Sequence, residues 1–290
     1  MLWGVILGLA ASASWAGANV FVARSSRAAG PFRALVWAQI VGALALLPVA
    51  LLLDHRLIAN RATFVWGGVA GVAAVLAYAC LFFSLEHGQL SVVVPVMSSW
   101  SVIAAALSIG VLGESLRRTH LIGAGLVVVG VLMVSRFSQP AADATPEAGS
   151  AKNRRRSLLA AVGAAIGFGV LIPAIDQLTP VAGRLGAIPL VFLLDLAIGV
   201  PLALAARIDL SLPPRKAWVE IAAAGLFETV GFVWISLGAS RAPVAIVSPL
   251  AGLASAFTLL FAWVVLRERP PRLALAGAVV ACAGVVTLAL

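Results

Sequence analysis

The sequence predicts an all-α polytopic membrane protein with ten transmembrane helices arranged as two inverted five-helix repeats. Three observations carry this. Of 290 residues, 62% are hydrophobic and 11% charged, with a mean hydropathy of +1.09, whereas a soluble globular domain carries about 25% charged residues. The apolar residues fall into runs that match the roughly 20 residues needed to cross a bilayer core of about 30 Å. The chain also repeats without a gap: shifted by 154 residues, Pro95 falls on Pro249, Ser101 on Ser255, Glu114 on Glu268, Gly123 on Gly277 and Gly130 on Gly284. The same shift places Phe64 on Trp218, Gly71 on Gly225 and Tyr78 on Phe232.

Cut at charges and turn residues, the runs are Leu2–Ala23, Ala34–Leu53, Ala62–Leu85, Leu90–Leu112, Leu121–Phe137, Leu158–Ile175, Leu185–Ala206, Ala217–Leu237, Val244–Leu266 and Leu273–Leu290. Between the fifth and sixth, residues 138–157 hold Pro140, Pro146, Gly149 and the basic group Lys152, Arg154, Arg155 and Arg156, the composition of a flexible linker. It separates a first repeat, residues 1–137, from a second, residues 158–290. Five spans is an odd number, so a second copy that follows the first enters the membrane from the opposite side, and the interface of inverted halves lies near the midplane. The first run reads as a retained helix, because a signal peptide needs a basic n-region and nothing basic precedes Arg24.

Of the 20 Lys and Arg residues, Arg56, Arg61, Arg117, Arg118, Arg184 and Arg241 fall in connections on one side and the others on the opposite side. The positive-inside rule makes the majority side cytoplasmic, which puts both termini outside a plasma (inner) membrane. The net charge of +9 is scattered through short gaps rather than gathered on one solvated face, which excludes nucleic acid as a partner by that criterion. Cys80 and Cys282 lie inside apolar runs as small hydrophobes. There is neither a disulfide framework nor metal-ligand spacing, and no cofactor is expected.

Residues 95–134 place Pro95 early in a helix, Leu112-Gly113-Glu114 at its end, and Gly123 and Gly130 in the next helix. The second copy shows Pro249, Leu266-Arg267-Glu268, Gly277 and Gly284 in the same order. This doubled pattern resembles the EamA-like part of the drug/metabolite transporter superfamily, over nearly the whole chain. The resemblance implies a ten-helix transporter with a central cavity and alternating access, working as an exporter, importer or exchanger of small metabolites. It names no substrate, since that superfamily spans amino acids, nucleotide sugars, sugar phosphates and drugs. The related four-helix multidrug proteins carry a proton-coupling glutamate in their first helix; here that helix offers Trp15 and Asn19 but no acid.

The motif residues have physical roles of their own. Pro95 and Pro249 lack an N–H, free the carbonyls of Ser91 and Ala245, and bend a helix; they are hinge candidates, the alternatives being a static kink or a first-turn proline. Glu114 lies about 28 Å beyond Pro95 along a helix, at the opposite surface. A carboxylate at a helix C-terminus is unfavourably placed, so Glu114 and Glu268 are expected to form gate or interfacial ion pairs, with Arg117 or Arg118 and with Arg269 or Arg272. Gly123 and Gly130 share a helix face, as do Gly277 and Gly284. These faces are expected to pack the fifth and tenth helices together, or against a second copy in a homodimer.

Asp195 and Glu228 sit near the middle of the seventh and eighth runs, where an ionisable group costs about 2.5–3.5 kcal/mol to insert. They are candidates to carry a proton or a cationic solute, the alternative being a protonated acid bonded to a nearby carbonyl or serine. Their counterparts in the first copy are apolar, near Val41 or Gly42 and at Ala74. Asp176 and Glu220 lie nearer run ends and read as solvated structural groups. Trp15, Asn19, Gln39, Tyr78, Ser98, Trp100, Trp234 and Ser248 are candidates to line a partly aromatic, partly polar path; each alone also reads as interhelical packing. The function these features imply is secondary transport of a small metabolite through the lipid bilayer, with an amino-acid-like, cationic or zwitterionic solute favoured and protons or another ion as possible coupling partners. No P-loop is present to use ATP. The competing readings are a non-transporting scaffold or accessory subunit and a membrane-embedded enzyme. The latter is disfavoured because His55, His87 and His120 fall in connections, with no H-E-x-x-H or G-x-S-x-G.

Overall fold

The apolar runs fold as helices in the computed structural model, which describes residues 1–54, 60–87, 96–97, 99–137, 151–254, 256–257 and 271–289. In chain order the helices are α1 (Leu2–Ala29), α2 (Pro31–Leu53), α3 (Arg61–His87), α4 (Trp100–Gly110), α5 (Arg118–Phe137), α6 (Ala151–Ala182), α7 (Ala187–Ala205), α8 (Trp218–Ala239), α9 (Val244–Ala251) and α10 (Arg272–Ala289). Local chemistry sets their starts: Pro31 occupies the first turn of α2, where its missing N–H costs nothing. Asn60 Oδ1 accepts the N–H of Thr63 at 2.9 Å, capping α3. Six helices among the described residues are long and apolar enough to cross a membrane: Leu2–Ser26, Pro31–Leu53, Arg61–Leu81, Arg155–Ala182, Ala187–Ala205 and Arg215–Ala239. Trp100–Gly110, Arg118–Val134 and Arg272–Leu288 are apolar and shorter.

Several elements differ from the runs: α1 continues past Arg24 and Arg27 to Ala29, and α4 spans only Trp100–Gly110, after a turn at residue 99. Helix α6 starts at Ala151, inside the stretch read as linker, and continues past Asp176 to Ala182; cutting the run at a charge ended it too early. Helix α9 stops at Ala251 and the chain turns at residues 252–253, so the ninth run is not continuous helix.

The protein is an integral membrane protein, and its surface is apolar accordingly: Leu52 is 76% exposed, and Phe64 and Val219 are each 74% exposed. Its interior is rich in alanine, with Ala11, Ala70, Ala77, Ala104, Ala161, Ala164 and Ala245 fully buried. Lipid removes the hydrophobic drive between helices, and close packing of small residues takes over.

The helices interleave across the two halves. The main contacts come in pairs that exchanging the halves would interconvert: α1 against α8 and α6 against α3, α2 against α8 and α7 against α3, α4 against α6 and α9 against α1. Counterparts also meet directly, α2 with α7, α4 with α9 and α5 with α10. The last pair approaches closely. A Cβ added at Gly130 would lie 2.6 Å from both Ala281 Cβ and Gly277 O, and one at Gly284 would lie 2.7 Å from Gly123 O.

Connections gather at two ends. One cavity holds Asp54, Gly183, Arg184 and Ser240, and another holds Met1, Ser115, His120, Pro243 and Leu288, so both termini sit at that end. At the other, Arg33 pairs with Asp209, Trp37 Nε1 donates to the carbonyls of Leu210 and Ser211 at 3.3 Å, and Ser157 Oγ donates to Ser84 O at 3.0 Å.

Candidate functional site

Asp195 and Glu228 stand at mid-helix in α7 and α8, and the structure brings them into one buried polar junction. The Tyr78 hydroxyl, on α3, donates to Glu228 Oε1. Asp195 lies within electrostatic reach of Glu228 and beside Gln39 of α2. Tyr78 is 7% exposed, Asp195 5% and Gln39 3%. The buried Nε2 of Gln39 falls short of hydrogen-bonding geometry with any described group. No Lys or Arg occurs on α7 or α8, on α2 beyond Arg33, or on α3 beyond Arg61.

Aromatic rings border this junction. Trp100 of α4 meets Trp15 of α1 with centroids 5.9 Å apart, Trp15 meets Phe232 of α8 at 5.3 Å, and Phe232 meets Phe192 of α7 at 5.7 Å. All three contacts are edge to face, as the ring quadrupoles prefer. On the other side Tyr78 meets Phe168 of α6 at 5.1 Å, also edge to face. Phe192 precedes Asp195 by three residues and Phe232 follows Glu228 by four, so each carboxyl shares a helix face with a ring. Gly231 makes room for the indole: a Cβ there would lie 2.6 Å from Trp15 Cδ1.

The structure thus unites Trp15, Gln39, Tyr78, Trp100, Asp195 and Glu228. It adds Phe168, Phe192 and Phe232, which the sequence reading passed over. Spacing from the two acids was the available signal for Phe192 and Phe232; Phe168 had none. Trp234 is partly buried against the same hydrophobic core. Ser248 is fully buried on α9, and its Oγ has no partner among the described residues. Pro249 lies in α9 just ahead of the turn at 252–253. Pro95, Ser98 and Glu268 lie outside the described residues, as does the side chain of Asn19.

Three further acidic residues lie away from the junction. Glu114 pairs with no arginine among the described residues: its two carboxylate oxygens accept the backbone N–H groups of Val244 at 2.8 Å and Ala245 at 2.9 Å, the start of α9. Gly113, at φ 73°, turns the chain out of α4, so Glu114 leaves the unfavourable C-terminal end of one helix for the favourable N-terminal end of another. Asp176 lies within α6 and lines, with Asp54, Gln177, Thr179, Arg184 and Ser240, a cavity of about 630 Å³. Glu220, partly exposed in the first turn of α8, keeps one oxygen, Oε2, buried without a partner among the described residues. Among the described residues no group of His, Cys, Asp or Glu is placed to hold a metal ion.

Chemically the junction offers two carboxyl groups, the Gln39 amide beside one of them and several ring faces, on four helices that carry no Lys or Arg beyond Arg33 and Arg61. That set suits a desolvated organic ammonium, which carboxylates pair and aromatic faces attract.

Three comparisons bear on this arrangement. A model of the EamA-like transporter family matches residues 2–136 and 155–290. An uncharacterized protein of Methanocaldococcus jannaschii is 28% identical over 131 residues, which are 45% of this chain and 95% of that protein. A crystal structure of another protein superimposes with a TM-score of 0.79 at 18% identity, covering 98% of this chain and 95% of that one, and so has the same overall fold.

Proposed function

The chain belongs to the EamA-like transporter family, whose model matches it twice and nearly end to end, and on that premise we propose that it is a gradient-driven secondary transporter of a small, amino-acid-like cationic or zwitterionic solute. In this reading ten spans form two inverted repeats, residues 1–137 and 158–290, joined by the basic segment 138–157. Both termini lie outside a plasma (inner) membrane, and the chain catalyses no covalent reaction.

The observation that carries the reading is the junction of Asp195 and Glu228 without a basic partner. A carboxyl group held at membrane depth is expensive to keep charged and alone; it carries either a proton or a cationic solute. Occupancy by one excludes the other, and that exclusion couples the two flows. Tyr78 holds Glu228 in place through its hydroxyl. The amide of Gln39, buried beside Asp195, is a donor available to a solute that carries its own acceptor. That tips the preference from a simple cation toward a zwitterion. The paired helix contacts supply the alternation: each half can adopt the other's arrangement around a site near the midplane.

The test is proton release from the purified protein in detergent on adding amino acids, organic cations and sugar phosphates, compared with Asp195→Asn and Glu228→Gln. Release triggered by an amino acid or organic cation, and abolished by either substitution, supports the proposal. Binding without release removes the proton from it, release triggered by sugar phosphates contradicts the solute class, and silence across the panel favours a scaffold.

A further inference from the structure

Helix α9 begins in an unusual way for a buried element. Every residue from Val244 to Ala251 is buried, and Pro243 supplies no side-chain cap. A helix start presents unpaired N–H groups and a partial positive charge, and here both are met by Glu114, which belongs to the other half of the chain. Glu114 is itself held rigidly: its backbone N–H donates to Ser108 O at 3.0 Å, and those of Val111 and Leu112 donate to Leu107 O at 2.8 and 3.2 Å. The turn is therefore a fixed extension of α4. The opposite end of α4 is Trp100, whose ring closes the aromatic row on Trp15. Beyond its first turn α9 is seated on α1, where Ser12 Oγ donates to Leu250 O, and on α4, where a Cβ at Gly252 would lie 3.0 Å from Ser101 Oγ.

We propose that Glu114 is a positioning residue for transport: a latch that ties the start of α9 to α4 and links the terminus-bearing end of the protein to the Trp100 wall of the solute site. With the latch made, the α4–α5 turn and the α8–α9 turn stay together and the first turns of α9 are shielded. When it breaks, α9 separates from α4 at that end, while α4, about 16 Å long for its eleven residues, carries the displacement to Trp100. This inference rests on the alternating-access reading but not on the solute, so its test needs none.

The test is labelling with a water-soluble maleimide in a background where the two native cysteines, Cys80 and Cys282, are replaced by alanine. The reporter is Ser248→Cys, at a position of zero exposure one turn into α9; the control is Ala164→Cys, at an equally buried position on α6. Adding Glu114→Gln, which keeps the shape but loses the charge, is expected to raise the labelling rate at Ser248→Cys roughly tenfold, on the scale of one charge-assisted hydrogen bond. The Ala164→Cys rate should not move, and Arg117→Gln, the neighbouring charge, should leave both rates unchanged. No rise at Ser248→Cys overturns the latch. So does an equal rise at Ala164→Cys, which is general loosening, or a matching effect of Arg117→Gln, which is loss of any charge at that end. Because no solute is added, a protein that transports nothing in the panel above still reports on the latch.

Discussion

Two glycines seven residues apart on α5 and two on α10 bring their backbones together, and one added methyl group measures how much the fold depends on that approach. A Cβ at Gly130 would sit 2.6 Å from Ala281 Cβ and from the carbonyl oxygen of Gly277. The backbone nitrogen of Ala281 is nearer still, and ordinary contact begins near 3.4 Å, so the two helices must part by about 1 Å. The obstacle on the far side includes backbone, which cannot rotate away. A gap of that size forfeits a quarter to a half of each dispersion contact along the seam, and overpacking of this kind costs about 1–3 kcal/mol. Alanine returns up to about 1 kcal/mol of helix propensity relative to glycine, leaving a net loss of about 1–2 kcal/mol. The detergent-solubilised Gly130→Ala protein should therefore unfold roughly 2–8 °C lower, at 2–4 °C per kcal/mol, in a fluorescence-detected melt. Gly125, on the same helix, has nothing within 4 Å of an added Cβ, so Gly125→Ala should be neutral or slightly stabilising. Equal melting points for the two variants would refute this account of how the halves are joined.

Removing the Tyr78 hydroxyl takes a donor from Glu228 while leaving the ring on Phe168; Tyr78→Phe should lower solute-triggered proton release at least tenfold with little change in melting point, both read on one preparation. Gly231→Val should displace Trp15 from its seat and weaken solute binding by more than Trp234→Ala does, by isothermal titration with whichever panel solute triggers release. The Arg33–Asp209 pair is 19% and 64% exposed at its two side chains, and pairs this open to water contribute about 0–1 kcal/mol; Asp209→Asn should shift the melt by no more than about 4 °C.

Much of this fold is legible in the sequence because bilayer thickness turns composition into length. The runs at Ala34–Leu53 and Leu273–Leu290 fall within a few residues of α2 and α10. Reading fails where a polar residue sits inside a helix. Asp176 looked like an end, yet α6 passes it and carries it into a cavity. For the site, the insertion cost singled out Asp195 and Glu228, and that is a local property of each run. Their convergence with Tyr78 and Gln39 depends on how α2, α3, α7 and α8 pack, which no local spacing encodes. Glu114 was legible as a residue in need of a partner; the partner, a helix start 130 residues away, belongs to tertiary structure alone.

The duplication explains why the chemistry of the junction is lopsided. Each half leaves its largest helix faces for the other: α1 lies on α8, and α6 on α3. A chain of about one repeat in length, such as the archaeal relative of which 131 residues make up 95%, would have to cover such faces with another chain, and two identical copies would place every polar group twice. In a fused chain the two copies are free to diverge. Here the first contributes Gln39, Tyr78, Trp15 and Trp100, and the second contributes Asp195 and Glu228. The first-copy counterparts of the two acids are Val41 and Ala74. Under the proposed function, one pair of acids rather than two keeps the buried charge low enough for a single cationic group and a proton to neutralise it. Restoring symmetry should therefore damage the site: Ala74→Glu, which adds a third buried carboxyl without a basic partner, should lower solute affinity or prevent folding, whereas Ala74→Gln, of nearly the same size and uncharged, should do less harm to both. A functional Ala74→Glu protein with unchanged affinity would show that the asymmetry of the junction is incidental.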